Sequence, residues 1–206
     1  MSDLKPSKIV CVGKNYAKHA AEMGGDVPSE PLIFLKAPSA LIEEGDEIVM
    51  PAWAGRVDYE GEIAIVIGRR ATKLSADEAW DYVGGVLPLN DVTARDLQAS
   101  DNQWSRAKGF DTFCPVGRVI PIEQVDVDAL EVITRVNGEV RQRGAIGDMV
   151  FKIPAVLEYV TRFMTLEPGD IVATGTPDGI GPLKPGDQVE VEVTGVGKVS
   201  NPVVAD

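Results

Sequence analysis

The sequence predicts an α+β fold that is mostly β, with a few short helices. Residues 57–67 alternate between two faces with a period of two, which is typical of a strand. Asn137-Gly138, a pair favoured in tight hairpin turns, separates the strand-like segments 130–136 and 139–143. Residues 188–193 alternate valine with polar side chains. Gly, Pro, Asn and Asp punctuate the chain between such segments, as expected for many short strands.

Helical patterns are fewer and shorter. Residues 16–23 could form a short helix, and residues 75–82 begin with the capping-box pair Ser75 and Glu78. Residues 153–164 place apolar side chains at helical spacing, and Pro154 is acceptable in a first turn. We therefore expect helices to be minor elements beside the strands.

Composition restricts the class of protein more than its chemistry. The chain has 206 residues, 44% of them hydrophobic, and a net charge of −12. No linker-like tract divides it, so we expect one domain over residues 1–206. The acidic balance argues against nucleic-acid binding, and no apolar run approaches the roughly 20 residues of a membrane span. A cytoplasmic protein is expected, with Cys11 and Cys114 reduced and structural.

Three acidic residues share one face of the strand-like segment 57–67. Asp58, Glu60 and Glu62 alternate with apolar neighbours, and Asp91 follows the strand-like segment 87–90. Carboxylates crowded on a half-buried strand need a cation, and an oxygen-rich site of this kind suits Mg²⁺. The same spacing also fits the solvated face of an edge strand. Spacing alone leaves both interpretations open.

Five sequence blocks resemble the fumarylacetoacetate hydrolase family. They occur in the order typical of the family and span nearly the whole chain: Val12-Gly13-Lys14-Asn15-Tyr16-Ala17-Lys18-His19, Asp58-Tyr59-Glu60-Gly61-Glu62, Asp91-Val92-Thr93-Ala94-Arg95-Asp96, Lys108-Gly109-Phe110-Asp111, and Thr174-Gly175-Thr176-Pro177 with Gly179 and Gly181. Each block is weak alone, whereas five in register are specific. The short, single-domain subgroup, which includes acylpyruvate hydrolases and oxaloacetate decarboxylases, is the most similar.

The resemblance implies roles for individual residues. The implied ligands of Mg²⁺ or Mn²⁺ are Glu60, Glu62 and Asp91. The implied catalytic residues are His19, Glu22 and Lys108, and the implied substrate contacts are Arg95, Gln98 and Thr176. It also implies a mixed β-sandwich roll, assembled as a homodimer, with a mobile His/Glu lid segment in residues 1–50 and a metal-binding core in residues 51–206.

Simpler interpretations stand beside these roles. His19 and Glu22 could be a surface pair on one helix face, and Lys108 an ordinary surface lysine. Arg95 could form a structural ion pair with Asp96 or Asp91. Lys36 lies in another family-like block and is a candidate supporting residue.

The predicted reaction follows from this set of residues. We expect a metal-dependent hydrolase that cleaves a C–C bond in acylpyruvates such as fumarylpyruvate or acetylpyruvate, with His19 activating water. The substrate would be a small anionic 2-keto acid. Decarboxylation of oxaloacetate and isomerisation of 2-hydroxyhepta-2,4-diene-1,7-dioate in aromatic catabolism are alternatives. A non-catalytic metal-binding protein is the alternative of a different class.

Overall fold

The computed structural model describes residues 4–206 and consists mainly of strands. The strands of this part of the chain are β1 (Ile9–Gly13), β2 (Leu32–Lys36), β3 (Leu41–Ile42), β4 (Ile48–Met50), β5 (Val57–Tyr59), β6 (Gly61–Ile67), β7 (Val83–Asn90), β8 (Thr93–Ala94), β9 (Cys114–Pro115), β10 (Ile120–Pro121), β11 (Glu131–Val136), β12 (Glu139–Ala145), β13 (Ile171–Ala173), β14 (Gly181–Pro182), β15 (Gln188–Val193) and β16 (Gly197–Ala205). The mostly β prediction is confirmed.

Helices are short, as expected. The α-helices are α1 (Ala17–Glu22), α2 (Arg95–Ser100), α3 (Ser105–Lys108) and α4 (Ile153–Thr161). The 3-10 helices are Pro38–Ala40, Ala76–Tyr82, Ile122–Gln124, Val127–Ala129 and Ile146–Asp148. The capping box of Ser75 and Glu78 is present, but it begins a 3-10 helix. Helices α2 and α3, which carry site residues, were not predicted from the sequence.

Two sheets pack face to face to form the sandwich. One has the strand order β10-β7-β6-β13-β1-β2, and the other β12-β11-β15-β16-β4. Strands β6 and β7 contact strands β11 and β15 across the interface. The pairs β1–β13 and β4–β16 are parallel and most others antiparallel, so the sandwich is mixed. A three-stranded sheet, β14-β5-β8, and the pair β3-β9 complete the architecture.

The hairpin at Asn137-Gly138 is confirmed. It joins β11 and β12, which pair in antiparallel register. Asn137 has φ +53° and Gly138 has φ +81°, as a two-residue turn between twisted strands requires. Among residues 4–206, no helix is long and apolar enough to cross a membrane.

The segment predicted as one strand from 57 to 67 is interrupted at Glu60 and buried on both sides. Ile63 and Ile65 on β6 pack into the core between the two large sheets, whereas Ala64 and Val66 pack into a second core on the opposite face. Cys11 and Cys114 are free thiols in that second core. Burial raises the pKa of Cys114 to about 12, which agrees with a structural role.

Candidate active site

Antiparallel pairing of β6 and β7 brings the predicted metal ligands together. Gly61 pairs with Asn90, so the start of β6 lies beside the end of β7. The Asp91 amide donates to the Glu60 carbonyl at 2.8 Å, and the Asn90 side chain accepts from the Glu60 amide at 2.9 Å. One carboxylate oxygen from each of Glu60, Glu62 and Asp91 lies within 4.8 Å of the others. The register of β6 and β7 therefore brings carboxylates from two distant sequence motifs together as one triad.

The solvated-face interpretation of these carboxylates is wrong. Asp58, Glu60 and Glu62 are only 0%, 4% and 2% exposed. Gly61 stands between the two glutamates because a Cβ there would lie 2.0 Å from the Thr134 hydroxyl on β11. The opposing sheet thus packs directly against the face of the strand that lies opposite the two glutamates.

Two buried lysines neutralise part of the triad. The Nζ of Lys108, on α3, lies 2.7 Å from Glu60 Oε2 and 2.6 Å from Asp91 Oδ2. The Nζ of Lys36, at the end of β2, lies 2.7 Å from Asp91 Oδ1 and donates to the Lys108 carbonyl at 2.6 Å. Both lysines are only 1% exposed, so the ordinary-surface interpretation of Lys108 is wrong. Lys36 supports the cluster as expected.

Arg95 is held in ion pairs, with partners other than those expected. At the start of α2 it contacts Glu60 Oε1 at 2.6 Å and Asp58 Oδ2 at 2.9 Å, instead of Asp96 or Asp91. The partners differ because the pairing of β5 with β8 brings Ala94, directly before Arg95, beside Val57. Its guanidinium also donates to Gln98 Oε1 at 2.8 Å, which places Gln98 in the same cluster.

Arg56 and Asp58 were not assigned a role from sequence. Arg56 binds Asp58 in a two-point ion pair, at 2.7 and 2.9 Å. The two residues are two positions apart, so they share one face of an extended segment. That spacing was the available signal, but nothing in it showed that Arg95 would bind the same carboxylate.

Burial and neighbouring charges shift the pKa values of Glu60 and Glu62 in opposite directions. The pKa of Glu62 is raised because burial disfavours its charge and because the Asp91 and Glu60 carboxylates lie close. Burial also opposes ionisation of Glu60, but Lys108 and Arg95 outweigh it and lower its pKa. Lys108 has its pKa raised, because Asp91 and Glu60 outweigh the effect of its burial.

The triad fits a divalent cation. Glu62 forms no ion pair with any residue in the range 4–206, and its Oε2 accepts one hydrogen bond from the Gly175 amide at 2.7 Å. The cluster thus contains one buried carboxylate that no lysine or arginine of residues 4–206 contacts in an ion pair. Buried carboxylate oxygens of this kind are preferred ligands of Mg²⁺ and Mn²⁺.

His19 and Glu22 lie on one face of α1, as their spacing predicts. His19 Nδ1 is 3.4 Å from Glu22 Oε2, and the His19 side chain is 6% exposed. Both carboxylate oxygens of Glu22 also accept from the Gly179 amide, each at 3.2 Å. This arrangement leaves His19 Nε2 as the nitrogen for proton transfer, and burial of His19 rules out the surface-pair interpretation.

The Thr176 hydroxyl is engaged by the protein. It donates to the Gly61 carbonyl at 2.9 Å and accepts from Gln142 Nε2 at 2.8 Å. Gln142 was missed from sequence, and so was Asn15, whose side chain bonds Thr174 and Phe151. The hydroxyl can therefore offer a substrate only an oxygen lone pair, and its substrate contact stays a prediction.

One cavity of about 650 Å³ collects all nine site residues named from sequence. Its wall also includes Lys14, Phe34, Arg56, Asp58, Asp96 and Trp104. The arrangement offers a site for a metal, fixed positive charges, and one histidine beside them. These are the parts needed to bind an anion and to move a proton.

Comparison with known proteins identifies the family of this chain. The family model described as fumarylacetoacetate (FAA) hydrolase C-terminal matches residues 8–204. The chain belongs to the fumarylacetoacetate hydrolase family. The single-domain resemblance of the sequence blocks is thereby confirmed.

Several relatives in this family have named activities. The chain is 46% identical to the mitochondrial oxaloacetate tautomerase of Arabidopsis thaliana, over 94% of this chain and 89% of the relative. It is 43% identical to the oxaloacetate tautomerase YisK of Bacillus subtilis, over 97% and 70% respectively. A solved structure of 5-carboxymethyl-2-hydroxymuconate delta-isomerase from Mycobacterium smegmatis matches with TM-score 0.91 and 46% identity, covering 98% of this chain and 80% of that one.

Proposed function

We propose that this fumarylacetoacetate hydrolase-family enzyme uses a divalent metal to interconvert the keto and enol forms of a 2-keto acid, with oxaloacetate as the preferred substrate. The observation that carries the proposal is Glu62, a buried carboxylate of the triad without a cationic partner in residues 4–206. Relatives that are 43% and 46% identical and are named oxaloacetate tautomerases support the choice of substrate.

The charges of the buried cluster suit a dianion. The carboxylates of the cluster are Asp58, Glu60, Glu62 and Asp91, and its cations are Lys36, Arg56, Arg95 and Lys108. When all of them are ionised, the cluster is neutral. A divalent metal would then leave two positive charges, which match the two negative charges of oxaloacetate.

Each part of the chain has a task in this chemistry. Bound Mg²⁺ or Mn²⁺ would act as a Lewis acid on the keto oxygen and stabilise the negative charge that develops there. Lys108 stays protonated beside Glu60 and Asp91, so it adds a fixed positive charge near the reacting atoms. His19 Nε2 would take the C3 proton of the substrate, and Glu22 would hold the ring through Nδ1.

Hydrolysis of an acylpyruvate is the second candidate. The His19–Glu22 pair favours it, because an oriented imidazole beside a cavity could activate water as well as a carbon acid. Decarboxylation of oxaloacetate would use the same metal to stabilise the developing negative charge, but it would not need His19 as a base. The tautomerase ranks first because it needs only the proton transfer that these residues supply.

The proposal is tested with purified protein in Mg²⁺ and in EDTA, with metal-only controls subtracted. The ultraviolet decay of enol-oxaloacetate reports tautomerisation, and pyruvate release from oxaloacetate, acetylpyruvate and fumarylpyruvate reports decarboxylation or hydrolysis. EDTA-sensitive enol decay that exceeds pyruvate release supports the tautomerase. Faster pyruvate release from an acylpyruvate would replace it with the hydrolase, and inactivity on all of them would overturn both.

A further inference from the structure

One lysine at the cavity differs from every other Lys or Arg in its wall. Arg56, Arg95 and Lys108 each contact at least one carboxylate at 2.6–2.9 Å. Lys14 also lines the cavity, yet its side chain forms no ion pair or hydrogen bond with residues 4–206. Lys14 is therefore the wall cation whose charge no protein carboxylate offsets.

The backbone at Lys14 is held in an unfavourable conformation. Lys14 has φ +56°, in the left-handed region that side-chain-bearing residues rarely adopt. It follows β1 directly, so the well-packed sheet fixes the point from which its side chain leaves. Strained residues of this type persist where the surrounding structure requires them and recur at binding sites.

A glycine beside the lysine leaves room for the ammonium group. A Cβ placed on Gly25, just after α1, would lie 2.6 Å from Lys14 Nζ. A side chain at position 25 would displace the flexible end of Lys14 from this position. The position of Lys14 is compatible with glycine there, and the lysine lies beside the segment that carries His19 and Glu22.

We propose that Lys14 binds the distal carboxylate of a dicarboxylic 2-keto acid and thereby selects dicarboxylates over monocarboxylates. This inference rests on the proposed function, in which the near carboxylate and the keto group lie at the triad. Glu22 and Asp96 also line the cavity and would repel a second substrate carboxylate. Lys14 offsets that repulsion, because the charges of Arg56, Arg95 and Lys108 are already neutralised by the protein.

The closing experiment compares Lys14→Met, Lys14→Arg and the control Lys18→Met, an exposed lysine on α1. Enol decay is followed for oxaloacetate and for phenylpyruvate, which lacks a second carboxylate. Loss of a hydrogen bond to a charged group predicts that Lys14→Met raises KM for oxaloacetate about 10- to 100-fold. KM for phenylpyruvate stays near the wild-type value, Lys14→Arg restores most of the oxaloacetate affinity, and Lys18→Met behaves as wild type.

Calorimetric binding separates failure of this inference from failure of the proposed function. Mg²⁺-loaded wild type and Lys14→Met are titrated with oxaloacetate and with pyruvate. A preference for oxaloacetate that disappears in the variant supports the role of Lys14, even if the wild type tautomerises neither keto acid. Equal losses for both ligands would show that Lys14 only supports the fold around α1, and unchanged affinity for oxaloacetate would also overturn the inference.

Discussion

The charged cluster and the His19–Glu22 pair lie at the same cavity but are built differently. Every carboxylate in the cluster is at least nine-tenths buried, and the ion pairs of the cluster measure 2.6–2.9 Å. The pair stands on α1, a helix of six residues without a side-chain N-cap. Its ring-to-carboxylate distance is 3.4 Å, and the Glu22 side chain is 33% exposed.

The difference separates two requirements of the proposed chemistry. Fixed charges stabilise a transition state best when they need no rearrangement, and adjacent strands of a packed sandwich provide that rigidity. A proton-transfer group must instead reach a substrate that enters and leaves. A short helix beside the cavity, whose Glu22 accepts from the Gly179 amide, suits that second requirement.

The largest expected effect tests the cluster. Glu62→Gln should lower turnover by about 10³-fold or more, because Lewis-acid stabilisation is worth several kcal/mol. The metal-free variant should be at least as stable as the wild type, because the change removes a buried carboxylate with no cationic partner in residues 4–206. Rates in Mg²⁺ and calorimetric melting without metal measure both. The exposed Glu123→Gln is the matched control, and unchanged turnover would remove Glu62 from the metal site.

The second prediction concerns His19 on α1 and tests its role separately from metal binding. His19→Gln should lower turnover by about 10²-fold, at the low end of the contribution of general acid–base groups. Affinity for Mg²⁺ or Mn²⁺, measured by calorimetry, should stay near wild type because His19 lies outside the triad. Loss of metal binding would show that the two regions are not separable.

The third prediction concerns Gly175, which supports Glu62 from the edge of the cluster. Gly175 donates to Glu62, has φ +99°, and has no space for a Cβ, which would lie 2.7 Å from Asn15 Cβ. Gly175→Ala should cost about 1–3 kcal/mol of stability from backbone strain alone, with a further cost from the collision. Gly186→Ala is the control, because Gly186 has φ +95° and open space. Equal melting temperatures for the two variants would contradict the collision.

The smallest expected effect concerns Glu22. Glu22→Gln keeps an acceptor for the Gly179 amide but removes the charge beside His19. A charged acceptor stabilises an imidazolium by roughly 1 kcal/mol more than a neutral one, so turnover should fall about fivefold with little change in KM. Kinetics of the variant at saturating substrate measure this. A raised KM with unchanged turnover would instead make Glu22 a substrate-binding residue.

Local sequence patterns predicted much of the fold. The Asn137-Gly138 hairpin, the alternation in β15 and the capping box at Ser75 are each found in the structure. These features depend on neighbouring residues, whose turn and strand preferences act over a few positions. The family resemblance located the site residues, which all line one cavity, whereas their roles and the homodimer stay predictions.

Tertiary structure decided what the sequence left open. A period of two shows that Asp58, Glu60 and Glu62 share a face, but only the tertiary structure, in which Arg95 and Lys108 cover Glu60, shows that this face is buried. Likewise, Lys36 reaches Asp91 although the two residues lie 55 positions apart. The physical reason is that burial and ion pairing depend on which strands become neighbours, and that pairing is a property of the whole chain.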